Sequence, residues 1–556
     1  MIKENMPGIW GGIECSINRV GNHFKDQLRY SGHYDRPDDI ECLAELGIKK
    51  IRYPVLWERH QPQKNNNIDW SWTDRQLNIL RRSGMEVIAG LVHHGSGPAY
   101  TSLLDPDFPF LLADYAHRVA SRYHWLKNFT PVNEPLTTAR FSGLYGLWYP
   151  HACDEKSFYA MLIHQLKAVV LSMKAIRTVN SSACLIQTED IGKTHSTPLL
   201  RYQADFENER RLLTFDLLTG KIDPGHGHGR YMLERGIPEK DLLFFKENPC
   251  APEVLGLNYY ITSERWLDER TELYDELQTG GNGLHTYTDT EVVRASPAAR
   301  SGLKKLAVEI WQRYQIPLAI TEAHLHCTRE DQMRWLQEIW DQAVELCREG
   351  VPVEGVTAWA LLGSFDWDSL LTKTGTQYET GAFDVMTSSG PIRPTAVAAL
   401  IKEIAGLGKG SHPVLEGKGW WHPATENNKA PERPLVILGR GSAVEKDPDK
   451  VHLKNCIIRA CQERRIDYLV RSSVSSLFIL KMKPWAVIEL DDETELPYWV
   501  GEHRVQYATF CEHRQGSDTL TVLLEPRSAE MHHINKVLDL LIDGYVGVWN
   551  FDMVEA

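Results

Sequence analysis

Nowhere along the 556 residues do about eighteen uncharged apolar residues run together, which is the length a helix needs to cross a bilayer. The opening stretch, MIKENMPGIWGG, has no apolar core of the kind a secretory leader carries. Cysteine is sparse: ten are scattered along the chain without a C-x-x-C pair. That excludes a small disulfide-stapled scaffold and suits reduced thiols. Positive charge is also short, with 61 Lys and Arg against 74 Asp and Glu, a net charge of −13. Nucleic acid and anionic membranes both need clustered Lys and Arg, so neither is expected as a main partner. No fixed-period repeat or low-complexity tract is present. These absences predict a soluble cytoplasmic protein.

What is abundant is tryptophan, 17 residues, most of them expected in a core and some suited to stacking on flat, partly apolar faces such as sugar rings. The length exceeds what one core usually holds, so a large domain and a smaller one are expected. From residue 8 to about 406, short apolar runs alternate with segments of helical spacing. The runs are GIWGGIEC, KKIRYPVLW, MEVIAGLVHH, LKNFTPVNEP, SACLIQTEDIG, EVLGLNYYIT, PLAITEAHL and VEGVTAWALLG. Eight strands, each followed by a helix, predict an α/β fold of the (β/α)₈ TIM-barrel type. An open doubly wound sheet would want a glycine-rich first turn, which GIWGGIEC matches poorly. The barrel is assigned to residues 1–410. Residues 411–432, rich in Gly, Pro, His and Lys, read as a linker, and residues 433–556 as a small α/β domain.

Catalytic side chains of a barrel come from the C-terminal ends of its strands. There the fourth run carries Asn133 and Glu134, the sixth Asn258 and Tyr260, the seventh Glu322, the third His93 and the eighth Trp359, with Asp366 and Trp367 just beyond. Two carboxyls on opposite sides of one mouth are what glycoside cleavage requires, one to protonate the leaving oxygen and one to attack the anomeric carbon.

PVNEP, LGLNYYIT, AITEA and AWALLGSFDW, in that order, resemble the signatures of glycoside hydrolase family 1, the retaining β-glucosidases and β-galactosidases. The resemblance covers about the first 405 residues. It implies that Glu134 is the general acid/base and Glu322 the nucleophile. It also implies that Asn133 holds the sugar 2-hydroxyl, Tyr260 hydrogen-bonds the nucleophile, Asn18, His93, Asn258, Trp359, Asp366 and Trp367 belong to the sugar site, and Arg52 lies below Glu322. A neighbouring Arg is expected to keep the nucleophile ionised, while burial keeps the acid protonated. The chain departs from the family pattern at Asn18 and Asp366, where Gln and Glu are usual, at Pro131, and at Ala323 and His324. It departs again at His94, where a Trp is usual after the subsite His. No metal or organic cofactor is implied; the expected partner is a small carbohydrate or glycoside, and a homo-oligomer stays open.

Two histidine-rich stretches, HLHC at 324–327 and HGHG at 226–229, look like metal ligands but lack further ligands at tetrahedral reach, so loop histidines are expected. In the smaller domain RPLVILGRGSA, ERRIDYLV, KPWAVIEL and HHINKVLDLLIDGYVGVWNF resemble pieces of the dTDP-4-dehydrorhamnose reductase family, a Rossmann fold. Its phosphate turn is reduced to Gly439 and Gly441, and no Tyr has a Lys four residues on. The resemblance thus implies a shortened Rossmann-like domain without cofactor, with Leu435, Ile437, Trp485 and Trp549 serving packing. The alternatives to a glycosidase are a nucleotide-sugar oxidoreductase and a non-catalytic carbohydrate-binding protein.

Overall fold

Each of the eight apolar runs forms a strand, and the eight are parallel neighbours in one closed barrel. They are β1 (Gly8–Gly12), β2 (Lys50–Pro54), β3 (Glu86–His93), β4 (Asn128–Asn133), β5 (Cys184–Asp190), β6 (Val254–Asn258), β7 (Leu318–Ala323) and β8 (Val353–Ala358). The ring closes where β1 pairs with β8, Gly8 opposite Gly355 and Gly11 opposite Ala358. Strands β4, β6 and β7 are buried at every position, which is why they read as continuous apolar runs with no alternation. The structure, a computed structural model, describes residues 6–64, 67–274, 279–386, 391–423, 433–439, 447–490, 500, 505–510, 519–524, 528–545 and the backbone of 547–550.

The barrel interior is filled in layers drawn from alternate strands. Trp10 of β1, Ile88 of β3, Ile186 of β5 and Ala319 of β7 cluster with Val254, the small Ala offsetting the large Trp. Glycine is needed beside that ring: a Cβ on Gly355 would lie 2.2 Å from Trp10 Cε2. After β5 and β6 the regular βα alternation is interrupted by a four-stranded sheet built from Thr194–Ser196, Arg265–Asp268, Thr286–Glu291 and Thr279–Gly281. Among the described residues no helix is long and apolar enough to cross a membrane.

The chain divides into two compact units, Met1–His324 with Glu338–Arg393, and Leu325–Gln337 with Pro394–Ala556. The second contains a six-stranded, all-parallel sheet: β9 (Leu435–Leu438), β10 (Tyr468–Arg471), β11 (Ala486–Glu489), β12 (Gln506–Phe510), β13 (Leu520–Leu523) and β14 (Gly547–Asn550). Their spatial order is β10-β9-β11-β12-β13-β14. This is a doubly wound order that begins as 2-1-3-4-5, whereas the six-stranded Rossmann order is 3-2-1-4-5-6. Leu435, Ile437 and Trp485 are buried; Gly441 and the Trp549 side chain lie outside the described residues. The described part of 411–432 is packed: Trp421 is buried and meets Trp335 edge-on at 5.3 Å.

A buried charge network holds the second unit together. Arg464 pairs with Glu330 Oε2 at 2.5 Å and with Asp539 Oδ1 at 2.6 Å, and its guanidinium also donates to the Asn535 carbonyl at 2.8 Å. Removing the cation strands a fully buried carboxylate, a change that costs about 3–5 kcal/mol. Arg464→Met should therefore lower the unfolding midpoint of the full chain sharply in a denaturant titration, and Arg464→Met with Glu330→Met should recover much of the loss. A single variant as stable as the native chain would show that the network contributes nothing.

Candidate active site

Strand β4 ends at Asn133, and the chain turns at Glu134 into a short helix, Pro135–Ala139. Pro at the first helical position needs no N–H partner. The next two amides donate to Glu189 of β5, Leu136 N–H at 2.8 Å and Thr137 N–H at 3.3 Å, so a carboxyl from the neighbouring strand caps the helix. Glu134 itself has φ 44°, in the left-handed region; so do His94 at 52° and Asp366 at 62°. A non-glycine residue held there costs of order 1–3 kcal/mol, and such residues gather at functional sites.

Glu134 and Glu322 are both buried, 5 % and 3 % exposed. Glu322 accepts from Arg52 Nη1 at 2.9 Å and from the Tyr260 hydroxyl at 2.6 Å. Glu134 accepts from the Asn258 amide at 2.6 Å, and His94 Nε2 lies 3.8 Å from its other oxygen. Burial pushes the Glu134 carboxyl well above its usual range, and the charges of Glu322, Glu189 and Asp190 push the same way. Glu322 is also raised, by burial, against the opposing pull of Arg52 and Tyr260. Arg52 lowers it, as expected of a neighbouring guanidinium, and burial leaves it raised on balance. The settings differ: Glu134 has an amide where Glu322 has a cation and a hydroxyl, and a cation favours the ionised form.

Asn133 is the hub of the floor. Its carbonyl accepts from Arg52 Nη2 and from the Thr188 hydroxyl, both at 2.7 Å, and its amide nitrogen faces His93 Nε2 at 3.2 Å and His94 Nε2 at 3.3 Å. The Asn258 amide is likewise fully engaged, its carbonyl accepting from Thr321 at 2.6 Å. Trp359 stacks on His93 with ring centroids 5.4 Å apart and 9° between planes, and Arg52 lies 4.7 Å from its ring. A Cβ on Gly12 would meet this indole at 2.3 Å. A small cavity below is lined by Cys15, Arg52, His93, Asn133 and Trp359 among others.

Asn18 is fully buried, and neither its carbonyl nor its amide nitrogen has a hydrogen-bond partner. Asp366 is buried and accepts from the Thr376 amide at 2.8 Å. Asn18 pairs with Lys25 across a hairpin, and the Asp366 charge acts on that lysine. Trp367 is half-buried and edges onto His94 at 5.5 Å.

Several participants carried no sequence signal of their own. Trp148, from the loop beyond the Glu134 helix, closes on His94 at 5.4 Å. Thr188 and Glu189 are ordinary strand-end residues, and Glu14, buried with its carboxyl raised to about 7 by desolvation, senses both Glu322 and Arg52. Of the histidine-rich stretches, HLHC lies in a loop, where His324 Nδ1 faces the Trp359 carbonyl at 3.1 Å and its Nε2 faces Glu379 at 3.2 Å; HGHG instead opens a helix, Gly227–Glu234, with His226 as its N-cap and His228 stacked on Phe206. Among the described residues no group of three ligating side chains could hold a metal ion.

Comparison with known proteins agrees with this geometry. The family model for glycosyl hydrolase family 1 matches residues 17–378. A 6-phospho-beta-glucosidase of Clostridium longisporum is 22 % identical over 401 residues, covering 63 % of this chain and 80 % of its own. One from Dickeya chrysanthemi is 24 % identical over 384 residues, with the same shares. The solved family 1 β-glucosidase of Thermotoga maritima superposes with a TM-score of 0.59 at 17 % identity, over 73 % of this chain and 98 % of that one; this last likeness speaks to the fold. With a closed eight-stranded barrel and a family match over most of its length, the chain belongs to glycosyl hydrolase family 1 and is a β-glycosidase.

Proposed function

We propose that the barrel cleaves β-glycosides with retention, Glu322 acting as nucleophile and Glu134 first as acid and then as base. The observation that carries this is the unequal setting of two buried carboxyls on strands β4 and β7: a cation and a hydroxyl on Glu322, an amide on Glu134. In the first step a Glu322 oxygen bonds to the anomeric carbon, the bond to the leaving oxygen breaks, and Glu134 gives that oxygen its proton. In the second, Glu134 takes a proton from water, and the water oxygen displaces Glu322. Tyr260 and Arg52 hold Glu322 at a fixed angle and leave it the better anion. Asn133, held by Arg52 and Thr188 and facing His93 and His94 with its amide nitrogen, stands beside the place proposed for the sugar 2-hydroxyl. His93, Trp359 and Trp367 supply faces and edges for the ring.

The sugar is read from Asn18 and Asp366. Each is one methylene shorter than the family's Gln and Glu, and the unpartnered Asn18 amide supports a grip that has drawn back from a simple hexose. An unmet buried polar group costs about 1–3 kcal/mol. The site is therefore proposed to take a substituted or larger glycon, or a small one bridged by water. The two named relatives act on 6-phospho sugars, but the buried Asp366 carboxylate disfavours a second anion beside it. A panel of 4-nitrophenyl β-glycosides, with the 6-phospho-β-glucoside included, tests the reading. Asn18→Gln with Asp366→Glu should raise kcat/KM on the plain β-glucoside by about ten-fold or more. A native enzyme that already prefers plain glucosides, and loses them in the double variant, would overturn the pocket argument.

The nine described cysteines are free, in keeping with a reducing, cytoplasmic setting. The smaller α/β domain is read as a shortened relative of dTDP-4-dehydrorhamnose reductase with a packing role. Its all-parallel sheet favours that kinship, while its strand order, which is not the Rossmann one, counts against it.

A further inference from the structure

The family's usual Trp after the subsite His is His94 here, and the structure gives that imidazole a defined protonation state. Asn133 cannot be turned over, because its carbonyl accepts from the Arg52 guanidinium, which is only ever a donor, and from Thr188. Its NH₂ group therefore faces His94 Nε2 at 3.3 Å, and that nitrogen must present a lone pair. The proton of the neutral ring then sits on Nδ1, where the Thr138 hydroxyl lies 3.1 Å away to accept it. Backbone at φ 52° holds the ring in place, and Trp148 and Trp367 close on it edge-on.

The same Nε2 lone pair lies 3.8 Å from Glu134 Oε2, with both side chains almost wholly buried. A lone pair repels an ionised carboxylate and attracts a carboxylic O–H, and in a dry site neither effect is screened by water. We propose that His94 is a positioning residue that keeps the acid proton on Glu134 and places it on Oε2, the oxygen that faces the imidazole; this rests on the reading of Glu134 as the general acid. The other charges that bear on the pair act in the same sense. Glu322, Glu189 and Asp190 face Glu134 and favour its proton, with the Asn258 amide opposing them. Burial and Arg52 keep His94 neutral, and the ring of His93 stands edge-on to it at 4.9 Å.

The role predicts a dependence on the leaving group that a purely structural residue would not show. His94→Phe keeps a ring between the two tryptophans and deletes the acceptor, whereas His94→Gln keeps an acceptor. On phenyl β-glucoside, whose leaving group needs a proton, His94→Phe should lose about 10- to 100-fold more kcat/KM than on 2,4-dinitrophenyl β-glucoside, which needs none. Its activity should also begin to fall at lower pH than in the native enzyme, and His94→Gln should restore part of the difference. Equal losses on both substrates with an unmoved pH profile would overturn the proposal. Nitrogen-15 NMR of the histidine-labelled native protein gives a second reading that needs no variant and no turnover. His94 should be neutral with its proton on Nδ1 between pH 5 and 8, and an Nε2-protonated or doubly protonated ring would overturn the proposal. Failure of the native enzyme to cleave even the dinitrophenyl substrate would bear on the glycosidase reading instead, and the NMR result would still decide the state of His94.

Discussion

Glu322→Ala should lose turnover by at least about 10⁴-fold, since the nucleophile has no substitute among its neighbours. Arg52 and Tyr260 would remain, aimed at the place its carboxylate filled, and together they form a ready seat for a small anion. Azide added to this variant should therefore attack the anomeric carbon from the face Glu322 normally uses. One displacement inverts the centre, so an activated β-glycoside should yield the α-glycosyl azide, identified by proton NMR. A β-azide from this variant would exchange the roles of the two carboxyls.

Glu134→Ala should behave differently in three respects. Loss of the acid costs about 10²- to 10⁴-fold on substrates with poor leaving groups, and far less on a dinitrophenyl glycoside, which departs unaided. The second step then stalls for want of a base, and a glycosyl ester on Glu322 should accumulate and be visible as a mass increment. Azide should relieve that stall and give the β-glycosyl azide, because two displacements restore the configuration. The native pH profile should follow the same carboxyl. Burial and the nearby acids raise Glu134, the reactive form is the protonated one, and activity should decline as pH rises through that raised value. In the variant this alkaline decline should vanish; its persistence would place the essential acid elsewhere.

Much of the barrel was legible because both-face burial leaves an unmistakable mark on β4, β6 and β7, and Asn133, Glu134 and Glu322 stand at strand ends where a barrel must put its chemistry. The four-stranded insertion was not legible: segments such as Thr279–Gly281 are wholly exposed and carry no apolar alternation to betray a strand. The cap that Glu189 provides joins residues of neighbouring strands, and no spacing along the chain encodes it. The lowering effect of Arg52 on Glu322 can be seen in a motif, whereas the depth of burial that raises the carboxyl is a property of the closed ring. His94 could be flagged as a departure, but its proton could be assigned only through Asn133, whose orientation Arg52 and Thr188 impose. The Leu325–Gln337 segment belongs with the C-terminal unit, where Glu330 pairs with the buried Arg464, and no spacing along the chain encodes that.

The seam between β1 and β8 joins Gly8 to Gly355, so the last strand of the ring must find the first across most of the barrel sequence. Glu134 and Glu322 stand at the ends of two strands of that ring, and pairings so distant along the chain are slow to form in folding. A chain leaving the ribosome thus carries both reactive carboxyls before it has a site to put them in. Under the proposed reading, hydrolysis is in this sense withheld by topology until the ring is complete.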